Sequence, residues 1–165
     1  MRLKIRRLVA GLGLSIFLFI GLNSRAQPTT TSITGKWRIV KIVPTHNAQC
    51  WDASQAKALV GTTVTYQPHL LVWRGGVVPI SDALSRTQSR RSFFEEYKVD
   101  LPALGIAAQT VEEIDLQHDD ADITGATTEV PGDTVVVAGR GRIVVSACGV
   151  FYSAIRVIDK TIGAR

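Results

Sequence analysis

The chain reads as a single all-β domain, a small antiparallel barrel or sandwich, and three observations carry that reading. Apolar residues gather in short β-branched or aromatic runs, such as "TTVTY" (Thr62 to Tyr66) and "HLLVW" (His69 to Trp73), rather than at helical spacing. Three further runs, "DTVVVA", "GRIVVSA" and "GVFYSAIRVI", are separated only by the tight turns "GR" and "CG", where glycine takes positive φ without strain. The strand-helix-strand rhythm that builds a parallel sheet is missing.

The first seven residues hold Arg2, Lys4, Arg6 and Arg7 and lead into an uncharged apolar run, Leu8 to Leu22, closed by Ser24-Arg25-Ala26. A basic start, an apolar middle and a small-x-small exit predict a secretory signal peptide over residues 1–26. The run is shorter than the roughly 20 residues a membrane-spanning helix needs. Release without a membrane anchor is therefore expected, with a periplasmic or secreted location. The polar stretch 27–32, "QPTTTS", reads as a disordered leader, and residues 33–160 as the folded domain.

Removing residues 1–26 takes away five of the 19 basic residues and none of the 14 acidic ones, leaving 14 of each. The basic balance thus belongs to the export signal, and it gives no support for a nucleic-acid partner. Cys50 and Cys148 are the two cysteines, and in an oxidising compartment such a pair is expected to be bonded. The alternative is two free buried thiols.

Lys36 to Val43 is rich in Ile and Val, with basic residues at 36, 38 and 41, which fits a strand with one wet face. A short helix follows in "CWDASQAKALVG", with Asp52 as N-cap, Gln55 as its capping-box partner and Gly61 as the stop. Ala53, Ala56, Leu59 and Val60 would form its apolar face. Gln67-Pro68 then turns one strand into the next. Ser81 to Leu104 mixes polar, basic and aromatic residues and reads as a long loop with a helical turn or two that covers an opening. "TVEEIDLQ" (Thr110 to Gln117) reads as a strand with a wet face and an irregularity near Glu113. Seven or eight strands result.

The glycine-x-tryptophan of "GKWRIV" at the start of the first strand, in a chain of this class and length, resembles the lipocalins and the wider calycin superfamily. More narrowly, the order of "GKWRIV", "AKALVG", "TVTY" and "GVFYSAIRV" is similar to that of small secreted bacterial lipocalin-like proteins of uncharacterised function. The resemblance implies an up-and-down β-barrel with one short helix after the first strand. It also implies that Trp37 plugs the closed end, that Gly35 leaves room there, and that Arg156 on the last strand lies across the indole. Such a contact is worth roughly 0.5–2 kcal/mol.

Chemical motifs are sparse. "HDDAD" (His118 to Asp122) offers oxygen ligands but lacks the glycine and closing glutamate of a calcium loop, so an acidic turn is expected and no metal is assigned. No hydrolase or Cys-x-x-Cys signature is present, and Glu95-Glu96 cannot face one point from adjacent positions. Neither enzymatic activity nor a cofactor is expected. "RTQSRR" reads as a solvated basic loop. Trp51, Tyr66, Trp73 and Tyr152 would either line a ligand cavity or fill the core, since small barrels do both. Two functions follow: binding of a small hydrophobic or amphipathic ligand through Tyr66, Trp73 and Tyr152, or a protein-interaction or inhibitor module with a packed core and an exposed Phe93-Phe94 patch.

Overall fold

The computed structural model describes residues 32–43, 53–74, 76–119, 132–147 and 149–158. The expected signal peptide, most of the leader, Cys50, Cys148, Trp51, the cap Asp52, and Asp120 and Asp122 lie outside the described residues.

The described residues form nine strands: β1 (Gly35–Val43), β2 (Thr63–Gln67), β3 (Leu70–Trp73), β4 (Gly76–Pro79), β5 (Asp82–Ser89), β6 (Thr110–Gln117), β7 (Thr134–Val137), β8 (Arg142–Ala147) and β9 (Val150–Arg156). They form one antiparallel sheet in the order β4, β3, β2, β1, β9, β8, β7, β6, β5, curled into a half-barrel. The first strand pairs with the last, so the sheet is a ring of sequence neighbours cut between β4 and β5. At the cut, the N–H of Ile80 donates to the carbonyl of His69 (2.8 Å) and that of Ser81 to the carbonyl of Gln117 (2.8 Å). This two-residue corner ties the two ends of the sheet together.

Two strands differ from expectation. β4 was not read from the sequence, and β5 replaces the loop expected from Ser81 onward. The residues of β5 are polar on both sides, with Ala83 and Gln88 alone buried. Its strand form comes from eight consecutive pairings with β6, Asp82 with Gln117 through Ser89 with Thr110. After it come helix α2 (Arg90–Tyr97), whose N-cap Ser89 accepts from the N–H of Ser92 at 3.1 Å, and a 3-10 turn (Leu101–Leu104). They do not cover an opening. Phe93 packs against Phe151, whose neighbours in β9, Val150 and Tyr152, belong to the inner layer, so α2 lies on the outer face of the sheet.

The short helix α1 (Ala53–Ala58) is present, but its apolar face is narrower than expected: Ala56 and Leu59 are buried while Ala53 and Val60 are exposed. Ala56 and Leu59 join the inner layer, which gathers Trp37, Ile39, Val64, Tyr66, Leu71, Ile114, Val145 and Tyr152 from both wings of the curl. Fully burying such side chains stabilises the fold by about 1.5–3 kcal/mol each. The outer layer is smaller: Val43, Phe93, Val99, Leu101, Leu104, Ile106, Val111, Val136, Val144 and Phe151. One strand serves both by changing phase. β1 shifts register between Ile39 and Lys41, so Trp37 and Ile39 face inward before the irregularity and Ile42 faces inward after it, turning Val43 outward to Phe151.

Candidate functional site

The residues singled out in the sequence fall into two groups, and a third, unread group lies between α2 and the sheet. At the first, register places Trp37 opposite Arg156, with the guanidinium carbon 4.2 Å from the indole centroid. Arg156 Nη1 donates to the Thr34 carbonyl (2.7 Å) and Nη2 to that of Ser32 (3.1 Å), while Trp37 Nε1 donates to the Ile33 carbonyl (2.6 Å). Gly35, at φ +129°, holds a backbone conformation that side chains rarely adopt, and a Cβ there would stand 2.5 Å from Arg156 Nη1 and displace the guanidinium. The group ties β9 to β1 and to the backbone just before it, and leaves no free donor on the indole.

Tyr66, Trp73 and Tyr152 all point into the inner layer and are buried. Tyr66 Oη donates to the Gly132 carbonyl at 2.9 Å, and Trp73 Nε1 donates to Thr62 Oγ1 at 2.8 Å. Gly132 is bonded to Ser146 on β8, so the bond from Tyr66 on β2 spans the curl from wing to wing. A Cβ on Gly132 would meet Tyr66 Oη at 2.8 Å and the Trp73 ring at 3.4 Å. The Tyr66 hydroxyl and the Trp73 ring therefore crowd the Gly132 backbone. Burial drives the Tyr66 hydroxyl well above its ordinary pKa, with Asp133 adding to the shift. Tyr152 Oη has no hydrogen-bond partner among the described residues, and burial pushes its pKa up to about 12.

The third group begins with the β5–β6 register, which sets Arg86 against Glu113 and Gln88 against Val111. Glu113 is 0 % exposed, the reverse of the wet face expected, and the β5–β6 pairing has no irregularity at that position. Val111 and Glu113 share the outer face under α2, whereas Ile114 and Leu116 face inward. Arg86 Nε (3.1 Å) and Nη2, together with Tyr97 Oη (2.7 Å), donate to Glu113 Oε1; Gln88 Nε2 donates to Oε2 at 2.8 Å. Glu96, one turn along α2, takes further bonds from Arg86 Nη2 (2.7 Å) and Gln88 Nε2 (3.0 Å). "RTQSRR" is thus no solvated loop. Its first arginine holds α2 to the sheet, and Arg90 forms a two-point pair with Asp100.

Burial raises the pKa of the Glu113 carboxyl against the opposing pull of the Arg86 and Tyr97 hydrogen bonds. For Glu96 burial is the largest single influence, yet the bonds from Arg86 and Gln88 outweigh it and hold the carboxyl low. Tyr97 is pushed up by burial and then by Glu113. Both oxygens of Glu113 accept from the chain's own donors, an arrangement suited to fastening a helix. Nothing in the sequence joined these residues, which lie up to 27 positions apart. The usable signal was parity: Val111 and Ile114, three apart, cannot share one face of a strand.

Beside this cluster a shallow depression of about 380 Å³ is lined by Arg90, Arg91, Phe94, Asp100 and Gln109. The expected Phe93-Phe94 patch is half of what was read: Phe93 is buried and Phe94 is 50 % exposed, because adjacent helical positions diverge by about 100°. Arg91 stands out in solvent, touching Glu95 at 2.8 Å. Of the acidic turn, His118 and Asp119 are described; His118 Nε2 lies 3.9 Å from Asp133 Oδ2, beyond hydrogen-bond reach. Among the described residues no three His, Cys, Asp or Glu side chains converge as metal ligands. No family model matches this chain, and comparison with curated proteins and with solved structures finds no match. The curled antiparallel sheet is compatible with a lipocalin-like fold.

Proposed function

We propose that this chain is an exported, non-enzymatic interaction module of lipocalin-like architecture, with a packed interior and a protein partner met on its outer surface at α2. The bond from Tyr66 to Gly132 carries this reading: an aromatic that would line a ligand cup is instead fastened across the curl to the backbone beside β8. Among the described residues the depression around Phe94 is open to solvent, an apolar ring flanked by Arg91, which suits a segment offering an apolar side chain next to a carboxylate. An exposed pair such as Arg91 with Glu95 is weakly held, so Arg91 can exchange its acid for a partner's at little cost.

A photo-crosslinking residue at position 94 should trap one discrete partner in the native compartment, a control at the similarly exposed Val60 should not, and Arg91→Glu should abolish the adduct. Equal labelling from both positions would sink the proposal. The small-ligand reading retains one supporting observation, the unpartnered Tyr152 hydroxyl in the inner layer. Mass spectrometry of the purified protein under native conditions separates the two: a stoichiometric small molecule, lost on Tyr152→Phe, would favour the ligand.

A further inference from the structure

Among the described residues the sheet has two edges without a neighbouring strand, and they are not alike. Hydrogen-bond phase along β5 is fixed by two bonds at its neighbours: the Arg90 N–H donates to the Gln109 carbonyl (2.8 Å), and the Leu116 N–H donates to Asp133 across β6–β7 (2.8 Å). Even positions of β6 therefore turn to β7 and odd ones to β5. In the β5–β6 register the odd positions of β6 meet the even positions of β5. The backbone groups of Ala83, Ser85 and Thr87 thus point to the open edge. Consistent with this, the Ala83 N–H takes Asp82 Oδ1 at 2.8 Å. Ser85 and Thr87, both exposed, present two N–H and two C=O groups with no strand of the described residues beside them.

On β4 the Ile80 to His69 bond sets the phase the other way, leaving Val77 and Pro79 on the open edge. A proline has no N–H to offer, so that edge is blunted. The β5 edge has eight residues, no proline and small side chains at Ala83, Ser85 and Thr87. Leu84, 55 % exposed, sits beside it on the outer face.

We propose that the β5 edge is a self-association site at which two copies pair antiparallel about a two-fold axis at Ser85. The sequence of the edge favours a second copy as occupant. Under this symmetry Ala83 meets Thr87, Leu84 meets the aliphatic stem of Arg86, and Asp82 meets Gln88, so small faces small and no like charges oppose. Moving the axis to Arg86 would set two guanidinium groups against each other. One strand pair buries less than the roughly 1,000 Å² of a stable interface, so the dimer is weak and dissociates on dilution.

Sedimentation velocity of the purified protein over a concentration series, with amide hydrogen exchange at both extremes, tests this. Expected are a concentration-dependent monomer–dimer equilibrium and protection of the Ser85 and Thr87 amides in the concentrated sample alone. Ser85→Lys, which brings two ammonium groups together at the axis, should weaken association at least tenfold. Ser85→Pro should do the same without loosening the β5–β6 ladder, because the Ser85 N–H lies outside it; if this variant does not fold, Ser85→Lys decides. A protein that stays monomeric at every concentration overturns the proposal. So does a dimer that survives Ser85→Lys, and protection of Ser85 and Thr87 in a monomer, which would assign the edge to a different strand.

Discussion

On its inner face the sheet packs Trp37, Tyr66 and Tyr152 among aliphatic residues, whereas on its outer face, beneath α2, Val111 and Phe151 share a thinner layer with the fully buried carboxylate of Glu113. The inner layer draws on every one of the nine strands, and its members are all apolar or aromatic. The outer layer has ten buried apolar residues, one of them the helical Phe93, too small a contact to orient an eight-residue helix by area alone. Short helices are marginal without tertiary contacts. Arg86, Gln88 and Tyr97 converging on Glu113 supply direction where the apolar layer supplies little. The comparison teaches that the two faces should fail separately.

The largest effect belongs to the inner layer. Trp37→Ala removes a buried indole, which costs about 3–5 kcal/mol, and urea unfolding should remain one cooperative transition. Glu113→Ala leaves Arg86, Gln88 and Tyr97 without an acceptor; with Arg86 half exposed, the cost should be about 2–3 kcal/mol, below the full value for a buried pair. Hydrogen exchange would locate the loss: amides of α2 should exchange fast while β1, β8 and β9 stay protected, and uniform acceleration would erase the distinction between the faces. Arg156→Ala should cost about 1 kcal/mol and much less in the Trp37→Ala background, a coupling that a double-mutant cycle reads directly.

The smallest effect is a slope. Because the folded Glu113 carboxyl titrates above its unfolded value, its contribution is fully present below the ordinary carboxylate range and is lost as pH rises through its raised pKa. Glu96 acts in the opposite sense, its contribution present above the ordinary range and lost as pH falls through its lowered pKa. The two partly cancel in the native chain. Glu113→Gln removes the first and leaves the second, so urea midpoints measured from about pH 4 to 7 should decline more steeply on acidification in the variant.

Much of the inner layer was legible because its chemistry is written locally. Alternation in "TVTY" and "IVVSA" puts Val64, Tyr66, Ile143 and Val145 on one face, and two consecutive turns place β7, β8 and β9 side by side. β5 was not legible because its inward residues Ser85 and Thr87 sit at the open edge, where nothing requires them to be apolar. Glu113 was misread because a glutamate in a strand is ordinarily a solvent-facing residue, and its partners come from β5 and α2. A buried charge cluster leaves no period in the sequence.

The pairing of β1 with β9 has a consequence for the order in which the molecule is made. β1 ends at Val43 and β9 begins at Val150, so at about 5–20 residues per second the ribosome needs roughly 5–20 s to supply the second neighbour of the first strand. Until then one side of β1 is bare, and Trp37 lacks the arginine that covers it. Lys36, Arg38 and Lys41, exposed on the opposite face, are the charges that keep such an edge from pairing with another nascent chain. The basic residues of the first strand are thus placed to guard its bare edge before the fold is complete.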